Sequence, residues 1–375
     1  MAQALVELSS GARAPEPLAR PPEGAASGEP SGAERARAGV AAASGYIVSR
    51  AYDGVFFLGA PLIGVLVAVV LGATRASERV FWMNGGRTGY VELAIGVLIQ
   101  AHLGAVLLRS HANAAVRRRH PIRFLVVPPV LFGAMVASET VTVVATVVAA
   151  FWDVYHSALQ TFGFARIYDR RAGNDALVGR RLDLGLNLVL YVGPILAGAA
   201  LLAHAHELDA LEDVGIGFLS VVPVALERAH GKIAAVVVAA SAAFIVVYVV
   251  AYARLARRGY RVAWPKVWLL ASTGLCSIVA WGFDPWGLAF FIMNFFHAVQ
   301  YLALVWWSER SRLERWTRGR VTGVVVFSMA LVAYGVWASL ATPDARWSWA
   351  AAQTIALMHF WYDGFVWSVR RRDVG

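Results

Sequence analysis

Cysteine is almost absent from this chain of 375 residues. Cys276 stands alone, which excludes an internal disulfide and any CxxC metal site. Charge is scarce as well: 15% of residues are Asp, Glu, Lys or Arg and 58% are hydrophobic, a balance that excludes a soluble domain of this length. No internal repeat and no second soluble domain can be read. From Met1 to about Ser44 aromatic and β-branched residues are nearly missing, and Ala, Pro, Gly, Glu and Arg take their place. Such a segment buries too little apolar surface to offset its ordering entropy, so residues 1–45 are expected to be a disordered cytoplasmic tail. It has no apolar run of signal-peptide length and is not expected to be cleaved.

What remains, 46–375, reads as an all-α transmembrane domain. Ten apolar segments are long enough to span a hydrocarbon core of ~30 Å as helices. They are 53–73, 89–109, 122–138, 140–164, 183–203, 232–253, 264–283, 286–307, 321–340 and 348–369. The distribution of Lys and Arg tests this segmentation. With the tail inside and sides alternating, the cytoplasmic segments hold 28 of the 34 basic residues and the outer loops hold 6. That asymmetry is the positive-inside pattern, and it predicts both termini in the cytoplasm of a bacterial inner membrane. The net charge of +10 is thereby explained as orientation and contact with anionic lipid heads, and no nucleic-acid partner is expected.

Four histidines fall inside these spans: His102, His156, His297 and His359. An ionisable side chain at a helix centre costs about 2.5 kcal/mol or more on insertion scales, so it normally has a partner or a function. All four lie on segments that run from outside to inside. They precede the next basic residue (Arg109, Arg166, Arg310 and Arg370) by 7, 10, 13 and 11 residues. At 1.5 Å per residue these intervals are roughly 10–20 Å, which places the four imidazoles in one layer of the cytoplasmic half of the membrane.

Polar company recurs at helical spacing. Asp153 precedes His156 by three residues and Gln160 follows it by four; Asn294 and Gln300 flank His297 at three; Asp363 follows His359 by four. Imidazoles that coordinate a metal, with carboxylates and amides completing the shell or orienting the rings, would show this arrangement. Asp153 and Asp363 are the candidate catalytic carboxylates, and Asn294, Gln160 and Gln300 the candidate ring-orienting residues. His111, nine residues past His102, is a candidate fifth ligand, and Asp53 at the start of the first span can reach the same layer. A layer of helix-to-helix hydrogen bonds is the plainer alternative. His204 and His206, beside Glu207 and Asp209 in an outer loop, read as solvated loop residues.

Imidazole with carboxylate and no thiolate points to iron, with copper and zinc also compatible. A polytopic, cysteine-poor chain with histidines on several helices near one leaflet resembles the bacteriorhodopsin-related carotene dioxygenases. Less closely, it resembles the membrane fatty-acid desaturases and hydroxylases, whose HxxxH and HxxHH boxes it lacks. The resemblance is architectural and covers about residues 50–370. It implies a metal-dependent oxidoreductase acting on a lipid or isoprenoid that enters from the bilayer, supplied by an electron donor. A haem-binding electron-transfer protein and a proton-coupled transporter are the two other classes the residues allow.

Overall fold

The computed structural model describes residues 45–83, 86–285, 287–342 and 344–367. The expected tail lies outside these, apart from Gly45. The described chain is helical except for one small hairpin, and each of the ten apolar segments falls on a helix. The principal helices are α1 (Ala60–Ala73), α2 (Tyr90–Ser110), α3 (Val127–Ala137), α4 (Glu139–Arg171) and α5 (Arg180–Ala197). Then come α6 (Val221–Arg257), α7 (Trp264–Ser277), α8 (Ala289–Trp316), α9 (Arg320–Ser339) and α10 (Arg346–Val366). Six helical spans are individually long and apolar enough to cross a membrane, those built on α2, α4, α6, α7, α8 and α9. They mark an integral membrane protein.

Two of the expected straight spans are bent. A turn at Arg50–Asp53 and a π-helical stretch at Gly54–Leu58 lead into α1 through a 52° bend. Pro61 cannot donate to the Phe57 carbonyl four residues back, and the side-chain amide of Gln300 donates to that carbonyl instead, at 2.8 Å. The segment 183–203 is likewise broken, by 89° between α5 and the short helix Ala200–His206. Here Gly198 lies against Gly282, whose Cα would stand 2.3 Å from any Cβ at position 198. The close approach lets Ala199 donate to the Gly282 carbonyl at 3.0 Å, so the break is tied to the π-helical stretch Ile278–Phe283 that follows α7.

The loop after α1 carries an antiparallel hairpin, β1 (Val80–Met83) against β2 (Gly86–Gly89), with Val80 opposite Gly89 and Met83 opposite Gly86. The sequence reading had only a loop there. α4 and α6 are also longer than their apolar segments, at 33 and 37 residues, because the helical pattern continues through their charged ends.

α8 is the most buried span and packs against α1, α2 and α9. α9 lies along α2, where Gly335 meets the Val97 carbonyl so closely that a Cβ would stand 2.3 Å from its oxygen. Small residues at a crossing let helix backbones approach and dispersion contacts accumulate. α4 joins α10 on one side and α5 and α7 on the other, while α6 touches chiefly α5 and buries no residue in its apolar stretch.

Where α4, α5 and α7 meet, the fold buries a network of four charges. Lys266 donates to Asp169 and Asp183 at 2.8 Å each, and Arg166 pairs with the same two carboxylates. Tyr248 and Tyr252 of α6 donate to Asp183 at 2.9 and 2.6 Å, and Arg166 also bonds the Ala176 and Val178 carbonyls. Tyr260, in the link before α7, donates to Asp169; burial first, and then that carboxylate, push its ionisation well above the usual phenol range. The sequence reading placed Arg166 in a basic cytoplasmic loop. It is instead a buried residue inside α4, held by opposite charges.

Candidate metal centre

The four histidines come together from four helices: His102 from α2, His156 from α4, His297 from α8 and His359 from α10. All are buried, between 0 and 3% exposed. Ring centroids lie 5.0 Å apart for His102–His297, His102–His359 and His156–His297, and 4.7 Å for His156–His359. The Nε2 atoms of His156 and His359 are 3.0 Å apart. Neighbouring ligands around one ion with bonds near 2.1 Å stand about 3 Å apart, so this spacing suits a shared cation.

Unsatisfied nitrogens make the cluster unusual. Both ring nitrogens of His102, both of His297, and Nδ1 of His359 are buried with no hydrogen-bond partner among the described residues. The backbone carbonyls of Ile99 and Leu103 lie beside His102 and His359 outside good bonding geometry. Buried polar groups left without partners are costly, and in native proteins each calls for an explanation such as an ion. Two overlapping sets have ligand atoms within 4.8 Å of one another: His102, His297 and His359, and His156, His359 and Asp363.

Asp363 is aimed rather than merely near. Tyr301 Oη and Trp367 Nε1 both donate to its Oδ1 at 3.0 Å. The other oxygen, Oδ2, faces His156 Nε2 at 3.7 Å and His359 Nε2 at 3.8 Å. Tyr301 also stacks edge-on against His359, with centroids 4.5 Å apart. Neither Tyr301 nor Trp367 was anticipated, although Tyr301 follows His297 by four residues and Trp367 follows Asp363 by four. That spacing is the signal by which both could have been found. Beyond them, Arg109 lies over the Trp367 ring at 4.9 Å and pairs with Glu309 at 2.8 Å; Arg312 and Asn113 complete this second polar layer.

Other expected site residues go elsewhere. His111 is not brought to the cluster: its ring nitrogens lie 2.9 Å from Ser110 Oγ and 2.9 Å from the Phe124 carbonyl. Asp53 accepts from the Ile47, Val48 and Ser49 amides and from Tyr168, fixing the chain ahead of α1. Asp153 shares a helix face with His156 but is outside both ligand sets and makes no hydrogen bond or ion pair among the described residues. The amides orient no imidazole. Gln160 donates to the His297 carbonyl and to Gln300, Gln300 caps Phe57, and Asn294 bonds the Phe290 carbonyl of its own helix. His204 and His206, expected in a loop, lie on the short helix Ala200–His206; His206 is exposed and pairs with Asp209, and His204 lies against the Ala200 carbonyl.

An apolar groove of about 500 Å³ opens between α3, α4 and α10, with Trp152 and Met358 on its wall. Trp152 packs on Phe360 at 6.2 Å, and Phe360 lies 5.0 Å from His156. Two aromatic side chains thus separate this groove from the imidazoles. Comparison with protein-family models, with curated proteins and with solved structures gave no match.

Proposed function

We propose that the chain is a ten-span inner-membrane metalloprotein, both termini cytoplasmic, in which His102, His156, His297, His359 and Asp363 hold an ion. The observation that carries this reading is the convergence of four buried imidazoles from four helices, three of which (His102, His297 and His359) carry ring nitrogens without a partner among the described residues. An all-nitrogen and carboxylate donor set suits iron, with copper or zinc as alternatives. The corresponding activity is a metal-dependent oxidation of a lipophilic substrate, a lipid or isoprenoid, with electrons from a donor. When bound, the ion supplies the activation of oxygen. The chain's own residues do the rest: Tyr301 and Trp367 orient Asp363, and the apolar wall of α3, α4 and α10 receives a hydrocarbon chain from the bilayer. Asp153 has no role in this scheme. Haem fits less well: two axial nitrogens across an iron stand roughly 4 Å apart with a macrocycle between them, from bonds of about 2 Å. Here the nitrogens of His156 and His359 are 3.0 Å apart and Phe360 closes on the rings.

Elemental analysis and an absorption spectrum of the detergent-purified protein test the ion. The expected result is one transition metal per chain with no Soret band; metal-free protein, or a Soret band, overturns the reading. Reporter fusions test the ten crossings. Those after residues 78, 139, 210, 284 and 343 are expected outside the cell membrane, and those after 117, 172, 258, 314 and 375 in the cytoplasm. Reversal at two or more positions rejects the topology.

A further inference from the structure

The ion network described above neutralises itself, two cations against two carboxylates. Just outside it a cleft of about 690 Å³ opens between the first turn of α5 and the last turns of α6. Its walls carry Arg180 and Arg181 from α5 and Arg254 and Arg258 from the end of α6, with Leu182 and Leu255 between them. None of the four arginines is paired with a carboxylate among the described residues. Asp183 is the nearest acid in sequence, and it faces the other way, toward Lys266, Arg166 and the two tyrosines of α6. The positive charge of the cleft is therefore not cancelled from behind.

The walls are also held in place. Gly179, immediately before α5, has φ +71°, and a Cβ there would stand 2.2 Å from the Tyr252 hydroxyl. That close packing of the α5 start onto α6 sets the cleft's width, as does the bond from Tyr252 to Asp183. Away from the cleft, α6 presents an apolar stretch that buries no residue. The arginines thus stand at the polar end of a helix whose remaining surface is free for hydrocarbon.

We propose that this cleft binds the phosphodiester headgroup of an anionic phospholipid, with the guanidinium groups on the phosphate oxygens and the acyl chains along α6. Guanidinium forks match phosphate geometry, and basic pockets between membrane helices hold such headgroups. Leu182 and Leu255 favour a lipid over free phosphate, since they offer the glycerol and first methylenes an apolar contact.

Native mass spectrometry of the full chain in neutral detergent tests the assignment. The probes are phosphatidylglycerol, phosphatidylcholine with the same acyl chains, and inorganic phosphate. One arginine near an anionic lipid surface is worth about fivefold in affinity, so the four together give a large contrast. Phosphatidylglycerol is expected to be retained about tenfold or more over phosphatidylcholine. R180Q/R181Q/R254Q/R258Q is expected to abolish that preference, and R117Q/R118Q/R119Q, a basic cluster elsewhere, to keep it. Leu255→Trp fills the cleft without changing charge and is expected to reduce retention as well; it decides the question if the fourfold variant does not fold. Retention unchanged in the fourfold variant or in Leu255→Trp overturns the proposal. So does equal loss in both arginine sets, which would indicate generic surface charge, and so does full displacement by inorganic phosphate, which would indicate a free-phosphate site.

Discussion

Alanine at His359 is expected to leave the purified protein without metal, because His359 belongs to both ligand sets and no other residue replaces it. His156→Ala is expected to do the same to any ion held with Asp363. Asp363→Asn keeps the shape and the acceptor for Tyr301 and Trp367 but removes the charge, and because the carboxylate is itself a proposed ligand the expected loss of metal affinity is at least the ~10–100-fold typical of an outer-sphere partner. Insertion and folding should survive each change, since a single interhelical polar contact averages only ~0.6 kcal/mol. Metal-to-protein ratio on monodisperse detergent fractions is the measurement. An unchanged ratio in both His156→Ala and His359→Ala would mean that the polar layer is structural and would sink the metal reading.

The largest stability loss is expected at Lys266, far from the histidines. Lys266→Met leaves Asp169 and Asp183 buried with one cation between them, and breaking a buried charge network by removing one partner typically costs about 3–5 kcal/mol. Removing charge in pairs should restore part of it: Lys266→Met with Asp183→Asn is expected to be more stable than Lys266→Met alone, because one cation then faces one carboxylate. Unfolding midpoints of the detergent-solubilised variants check both statements. A double variant no more stable than the single one would show that hydrogen bonding by Tyr248 and Tyr252 to a charged Asp183, and not charge balance, holds the junction.

The helices were legible because hydropathy and basic-residue placement act on whole segments; their ends were not, since the helix expected at 232–253 runs from Val221 to Arg257 through charged residues that hydropathy does not count. The convergence of His102, His156, His297 and His359 was legible for a related reason: depth is a one-dimensional quantity that counting residues to the next arginine approximates. Rotation about each helix axis is not. That is why His111, at a plausible height, turned out to face other partners, why Asp153 stayed outside both ligand sets, and why the three amides bond backbone carbonyls and one another and not imidazoles. Gln300 illustrates the difficulty, since its bond is to a carbonyl freed by Pro61, more than two hundred residues earlier in the chain. The hairpin was missed although Asn84-Gly85 is a strong two-residue turn signal, because the loop was read for length alone. The buried network was missed because Arg166 and Lys266 were counted only as basic residues of cytoplasmic segments, a count that leaves out the acids Asp169 and Asp183.

The two ligand sets differ in formal charge although they share His359. Three neutral imidazoles leave a divalent ion with its full charge inside a low-dielectric layer, whereas two imidazoles and the Asp363 carboxylate leave it with half. The solvation penalty of an ion rises with the square of its charge, so the second arrangement carries about a quarter of the first one's penalty. Tyr301 and Trp367, by turning one carboxylate oxygen toward the rings, bias the seat of a cation within the cluster toward α4 and α10. An added positive charge, such as that left when one electron is withdrawn from the ion, would strengthen the same preference. In such a site a single carboxylate sets both where the charge rests and how readily it can increase.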